Sequence, residues 1–375
     1  MSIKTLIADY LFDGNEIHPR QPVSFEDRHI IALDSLPQVK PTYVSGLLTA
    51  GFIDVQVNGG GGVLFNQQPT IEGITTIAKT HQQFGTTALL PTLITDEFTV
   101  MQSAADAVAD AIKNKVPGIV GIHFEGPFLS KEKKGAHSEH FIRKLNEQDW
   151  ALLERTDCGI RMLTVAPEHV ELLDIQRLVA AGVIVMVGHS NASCQQTQAC
   201  LAAGASGFTH LFNAMSQLQA REPGVVGAAL TDADSYCGVI VDGHHVHAAS
   251  LRLALTAKAD DKIFLVTDAM AHVGVSDLSL PFFGREIIRE GTRLNSSTGE
   301  LAGSFLDMAT AIENCQKLLG LTQQQALNMA SLFPAQLLRA DKRMGQIALG
   351  RNADFTLLNE QGKVIATWIS GVQVV

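Results

Sequence analysis

Four ionisable residues, far apart in the chain, each stand where an apolar run breaks. Glu125 ends Ile119-Val120-Gly121-Ile122-His123-Phe124-Glu125, just before Gly126-Pro127; His189 follows Val187-Gly188; His210 follows Phe208-Thr209; and Asp268 closes Lys262-Ile263-Phe264-Leu265-Val266-Thr267-Asp268. One Glu and two His suit a zinc ion with a fourth position left open for water, the pattern of a catalytic rather than a structural site. Such a metal brings the pKa of water toward about 7 and polarises a carbonyl. A carboxylate beside it, Asp268, can take the proton as general base and return it to a leaving nitrogen as general acid. That combination describes hydrolysis. His123 alternates with Glu125 onto one strand face and stands behind the ligands rather than among them.

These residues need elements that bring them together. Short apolar strands begin at Gly51, Thr86, Ile119, Ile160, Val183, Gly207, Ser235 and Lys262, and amphipathic helical stretches fill most gaps, as in Val170–Ala180, which stops at Gly182. Eight strand-helix alternations predict an α/β fold, a (β/α)8 TIM-like barrel of about 250 residues, whose catalytic groups sit at the C-terminal ends of its strands. Those ends are unusually polar: Gln56 and Asn58, Glu125, Glu168, His189 and Asn191, His210 and Asn213, Asp242 with His244, His245 and His247, and Asp268. Residues 1–48 and 341–375 instead carry alternating, hairpin-like patterns and are expected to pair into one small β-sandwich, leaving 49–340 as the barrel. Within it, residues 275–303 read as an inserted hairpin or lid. The run Gly59-Gly60-Gly61-Gly62 lacks the Gly-Lys-Ser/Thr of a phosphate loop and reads as a tight turn.

Composition narrows the partners. A 375-residue chain with 46% hydrophobic and 18% charged residues is a globular protein with a substantial core. Its formal net charge of -10 argues against an extended nucleic-acid or anionic-membrane surface and favours a small ligand held by a few local cations. Five scattered cysteines without a close pair suggest neither a disulfide framework nor a thiolate metal site. With no signal-like segment and no spanning apolar run, a cytoplasmic location is expected.

The ordered motifs Pro91-Thr92, His123-Phe124-Glu125-Gly126-Pro127, Lys134-Gly135-Ala136-His137, Gly188-His189-Ser190-Asn191, Thr209-His210-Leu211-Phe212-Asn213-Ala214-Met215, Arg221-Glu222-Pro223-Gly224, Asp242-Gly243 with His245, Thr267-Asp268-Ala269 and Leu301-Ala302-Gly303-Ser304 run nearly end to end. Through them the chain resembles the amidohydrolase superfamily and, within it, the N-acetylglucosamine-6-phosphate deacetylases, which convert that sugar phosphate to glucosamine 6-phosphate and acetate in amino-sugar catabolism and recycling. Many superfamily members carry His-x-His at the first strand for a second metal. Here Gln56-Val57-Asn58 stands instead, so one divalent ion is expected, zinc ahead of other divalent transition metals, with Gln56 and Asn58 as neighbours of its water or of the substrate.

The resemblance further implies that Asn213, the Ala214 backbone and Arg221 hold the 6-phosphate, that His245 polarises the acetamide carbonyl, and that His137 touches the sugar. Arg suits phosphate because its planar fork donates two hydrogen bonds at once. In relatives this Arg can come from a second subunit, which implies a homodimer. The alternatives are the N-acetylgalactosamine 6-phosphate epimer, another amidohydrolase reaction such as opening a cyclic amide, and a non-catalytic sugar-phosphate sensor.

Overall fold

A computed structural model of the chain describes residues 3–34, 39–296 and 299–375. All eight expected barrel strands form: Phe52–Val57, Thr86–Ile94, Gly121–Glu125, Ile160–Val165, Ile184–Val187, Gly207–Phe208, Tyr236–Val239 and Ile263–Leu265, hydrogen-bonded side by side in chain order and all parallel. The first three are buried at every position, as strands covered on both faces must be. Closure happens beyond the end of the eighth strand. There Asp268 N–H donates to the Gln56 carbonyl, and Asn58 and Gly59 N–H donate to the Ala269 carbonyl, each at 2.9 Å.

The sixth strand is shorter than its apolar pattern suggested. His210 and Phe212 turn into the left-handed region, with φ of 33° and 80°, and that backbone cannot continue a ladder. His189 (φ 47°) and Asp268 (φ 51°) turn the same way. Three of the four candidate residues therefore follow their strands by one kind of bend, at the same rim of the barrel.

Helices follow the strands as expected. Phe98–Lys113 buries Met101, Ala104, Ala105, Val108 and Ala111 at three- and four-residue spacing against the barrel. Cys194–Ala202 starts with a reciprocal capping box between Ser193 and Gln196. The helix read over Val170–Ala180 forms at Leu172–Ala180.

The chain ends meet as anticipated. One eight-stranded sheet runs Val372–Gln373, Val364–Ile369, Phe355–Leu358, Thr42–Ala50, Lys4–Phe12, Pro22–Glu26, His29–Leu33, with Ile17–Pro19 paired to Lys4–Phe12. Phe25 and Phe355 lie three strands apart in that path, about 14 Å in a flat sheet. Their ring centroids are 5.6 Å apart, so the sheet curls over on itself and packs face to face. Hydroxyls of Thr356 and Thr367 fasten it to the barrel through the carbonyls of Gly85 and Gln82, at 2.8 and 2.9 Å.

Between the eighth strand and the last helices, Ser279–Phe282, Arg285–Glu290 and Arg293–Ser296 form a three-stranded antiparallel insertion. Its Phe282, Ile287 and Leu294 bury against Leu64, Ile94, Met270 and Ala302 at the barrel rim. The glycine run makes the expected turn: Gly59–Gly60 pairs with Val63–Leu64 around Gly61 and Gly62, both at positive φ.

Gly188, the residue before His189, has no room for a side chain. A Cβ there would lie 2.7 Å from Thr164 Cγ2 and 2.9 Å from Thr209 Cβ, inside the barrel. Gly188→Ala should therefore cost about 1–3 kcal/mol through overpacking. Urea unfolding followed by far-UV circular dichroism, with the midpoint compared between the two proteins, checks this.

Candidate active site

Glu125, His189 and His210 come from the third, fifth and sixth strands and meet at one point. Glu125 Oε1 lies 3.2 Å from His189 Nε2 and 3.0 Å from His210 Nε2, and the two ring nitrogens are 3.0 Å apart. All three side chains are buried. His189 Nδ1 lies 2.8 Å from the Lys133 carbonyl, an acceptor only, so Nδ1 carries the proton and Nε2 turns a bare lone pair inward. Two imidazole nitrogens and a carboxylate oxygen at this separation either share a proton or hold a cation, and a divalent ion satisfies all three donors at once. Burial alone would raise the Glu125 carboxyl. The hydrogen bonds and charges of the two histidines outweigh it and hold that group well below its usual range. Burial disfavours charged His210, but Glu125 and then Asp268 raise its pKa on balance. The donor set is electron-rich, desolvated and suited to a metal.

Asp268 stands beside this cluster on the eighth strand's end. Asn58 Nδ2 donates to its Oδ1 at 2.6 Å, and Gln56 Nε2 lies 3.2 Å from the same oxygen and 3.1 Å from Glu125 Oε1. The orientation of the Gln56 amide is forced, because its oxygen would otherwise face two carboxylates. Gln56 and Asn58 thus act here as hydrogen-bond donors that hold two acidic groups close together. Burial and then the Glu125 charge push the Asp268 carboxyl up to about 6.

Other histidines are held one layer out. His123 Nδ1 lies 3.0 Å from the Val55 carbonyl, so its Nε2 accepts from Thr164 Oγ1 at 2.8 Å, and Thr164 meets Thr209 Oγ1 at 2.7 Å. Burial pushes His123 down to about 4, keeping it neutral below the Glu125, His189 and His210 cluster. The His137 ring lies against that of His189, tilted by 57° with centroids 4.3 Å apart, and places Nε2 3.9 Å from Glu125 Oε2. Burial, then the charge of His189, holds its pKa well below the ordinary value. His245 Nδ1 lies 2.6 Å from Asp242 Oδ2, whose other oxygen accepts from the His244 and His245 amides, so the ring edge is fixed.

A cavity of about 210 Å³ opens over these groups. Asn58, Glu125, His137, His189, His210, Asn213, Ala214, His245 and Asp268 line it, together with apolar Ile94, Ile240, Met270 and the insertion's Phe282. Arg221 is exposed and stands outside this lining. Three histidines without an assigned place have structural ones: His244 reaches Thr292 in the insertion, His247 caps the helix Ala248–Ala257, and His272 lies 3.1 Å from the Ile287 carbonyl. Sequence reasoning missed Asp54, Thr164 and Thr267. Strand alternation would have flagged Asp54, which shares a face with Gln56.

The Amidohydrolase family model matches residues 47–374. An N-acetylgalactosamine-6-phosphate deacetylase of Shewanella sp. (strain ANA-3) is 49% identical over 334 residues, 88% of this chain and 84% of that protein. An N-acetylglucosamine-6-phosphate deacetylase of Haemophilus influenzae is 37% identical, covering 86% and 85%. Among solved structures, N-acetylglucosamine-6-phosphate deacetylase from Pasteurella multocida superposes with a TM-score of 0.95 at 32% identity over 99% of both chains. A variant of the Mycobacterium smegmatis enzyme, in complex with N-acetyl-D-glucosamine 6-phosphate, gives 0.93 at 29% identity over 100% of both. With the family model spanning the whole barrel and the fold shared end to end, the chain belongs to the amidohydrolase family.

Proposed function

We propose that the protein hydrolyses the acetamide of N-acetylglucosamine 6-phosphate, releasing acetate and the free amino-sugar phosphate. The observation that carries this reading is the meeting of Glu125, His189 and His210 beside Asp268 under one cavity, in a relative of deacetylases. Glu125 Oε1 and the Nε2 atoms of His189 and His210 would hold one divalent ion, zinc first, because the donors are two imidazoles and a carboxylate. When bound, that ion supplies Lewis acidity, lowering the pKa of water and polarising the amide carbonyl.

The remaining work falls to the chain. Asp268 Oδ2 takes a proton from the attacking water as the new C–O bond forms. It then delivers that proton to the sugar nitrogen as the C–N bond breaks, so the amine leaves neutral. His245, held by Asp242, presents its ring to the acetyl oxygen. Asn213 and the Ala214 backbone face the 6-phosphate, His137 touches the sugar, and Ile94, Met270 and Phe282 give the cavity an apolar wall that keeps water out. Arg221 lies outside the cavity of its own chain, so we assign it to the phosphate of a second copy in a homodimer. Five cysteines without disulfides fit a cytoplasmic enzyme, and among the described residues no helix is long and apolar enough to cross a membrane.

A second reading has its own support. The relative at 49% identity is named for the galacto epimer, which differs from the gluco sugar at one hydroxyl. Side-by-side assays of both 6-phosphates decide between them: a kcat/KM at least about tenfold higher for the galacto sugar, worth about 1.4 kcal/mol at the transition state, would make that epimer the substrate.

Metal analysis should find one tightly held divalent ion per chain. Acetate release should vanish on chelation and return with metal, and two tightly held ions per chain would contradict the single-site reading. Asp268→Asn should keep the metal and the substrate affinity while kcat falls about 10²–10⁴-fold. Near-normal turnover in that variant, measured as acetate release at saturating substrate, would remove Asp268 from the chemistry.

A further inference from the structure

Asp54 is a carboxylate sealed in the first barrel strand, without any exposed surface, and the chemistry above makes no use of it. Its Oδ2 accepts from Thr267 Oγ1 at 2.5 Å, and its Oδ1 accepts from the backbone N–H of Gln56 at 3.2 Å and of Thr267 at 3.3 Å. One side chain therefore grips the residue before Asp268 by two groups, and the residue carrying the amide donor to Asp268 by a third. Asp54 lies in the layer of the barrel just below the rim, where the first and eighth strands close on each other.

Asp268 itself needs such a grip. Its φ of 51° lies in the left-handed region, which costs a non-glycine residue of order 1 kcal/mol or more unless its surroundings determine it. The main chain around it is held from both sides. Asp268 N–H bonds the Gln56 carbonyl on the first strand, and Ser304 N–H bonds the Asp268 carbonyl, both at 2.9 Å. Ser304 Oγ donates to the Thr267 carbonyl at 2.5 Å. Among the described residues, Asp54 is the one charged group that holds the Thr267 hydroxyl and amide. A buried carboxylate is expensive without partners, and burial raises the Asp54 pKa to about 7 against the pull of its three hydrogen bonds. An apolar residue of similar volume would fill this layer at lower cost, so the acid marks a positional demand rather than a packing one.

We propose that Asp54 is a positioning residue for the reaction: through Thr267 it sets the backbone bend at Asp268 and hence the direction in which the Asp268 carboxylate points at the cavity. The assignment rests on the reading of Asp268 as the proton carrier. Asp54 touches neither substrate nor metal ligands. Its effect on rate runs entirely through the placement of another group, and misplacements of about 1 Å can cost about 10²-fold.

The test uses full-length, metal-loaded enzyme and three variants, Asp54→Asn, Thr267→Val and Thr267→Ser, with Asp268→Asn as the reference. In Thr267→Val, which keeps shape but removes the hydroxyl, kcat should fall about 10- to 100-fold while KM and metal content stay within about threefold of the parent. Thr267→Ser, which restores the hydroxyl, should recover kcat to within about threefold. Asp54→Asn should follow Thr267→Val, and a crystal structure of either should show Asp268 Oδ1 moved away from Asn58 Nδ2. A purely structural role would instead lower the unfolding midpoint and leave the kcat of folded, metal-loaded enzyme unchanged, with Asp268 in place. Unchanged kcat in Thr267→Val beside an inactive Asp268→Asn would overturn this assignment alone. Normal turnover in Asp268→Asn would overturn the proton-carrier reading and this assignment with it.

Discussion

Two imidazole nitrogens and a carboxylate oxygen face one another at 3.0–3.2 Å, almost wholly buried at the base of a cavity. Electron-rich groups do not gather this way unaided, since desolvation and crowding both work against them. The architecture around them supplies the holding forces. The Lys133 carbonyl fixes the tautomer of His189, and the tilted ring of His137 packed against it limits its rotation. Gly188 lets the chain pass against Thr164 and Thr209 where any side chain would push His189 outward. The hydroxyl pair and neutral His123 form a hydrogen-bonded floor beneath the cluster. Geometry at the cavity is thus inherited from the barrel's interior layer.

Much of this was legible in the sequence because it is written in short-range terms. Strand-helix alternation counted the barrel, and the pairing of the chain ends followed from their period-two pattern and their inability to bury a face alone. Glu125, His189 and His210 were visible because each stands where an apolar run breaks, which in a barrel means the same rim. The backbone bends that aim them were not legible. Left-handed φ at His189, His210 and Asp268 belongs to non-glycine residues whose identity does not announce it, and the sixth strand was overread for that reason.

The roles of Gln56, Asn58 and Asp54 needed three dimensions. Gln56 stands 69 residues from Glu125 and 212 from Asp268, yet its amide meets both. Only barrel closure creates that contact, and no local pattern encodes it. The same is true of the insertion, whose existence was plain from the extra length after the eighth strand. That its Phe282 walls the cavity emerges only from the packing of that residue with Ile94 and Met270. His244 and His272 tie this insertion to the barrel.

The closing seam carries a temporal meaning. Asn58 and Asp268 meet across 210 residues, and the strand that bears Asp268 is itself braced by Ser304. During synthesis from the N-terminus, at about 5–20 residues per second, the first strand must wait upward of ten seconds for the segment that completes it. Until then its outer edge, Phe52–Val57, is an unpaired row of backbone donors and acceptors, open to wrong partners. Asp54 places a carboxylic acid in that waiting apolar strand, and Asn58 an amide just beyond its end. Polar groups in such a strand make pairing with another copy less favourable.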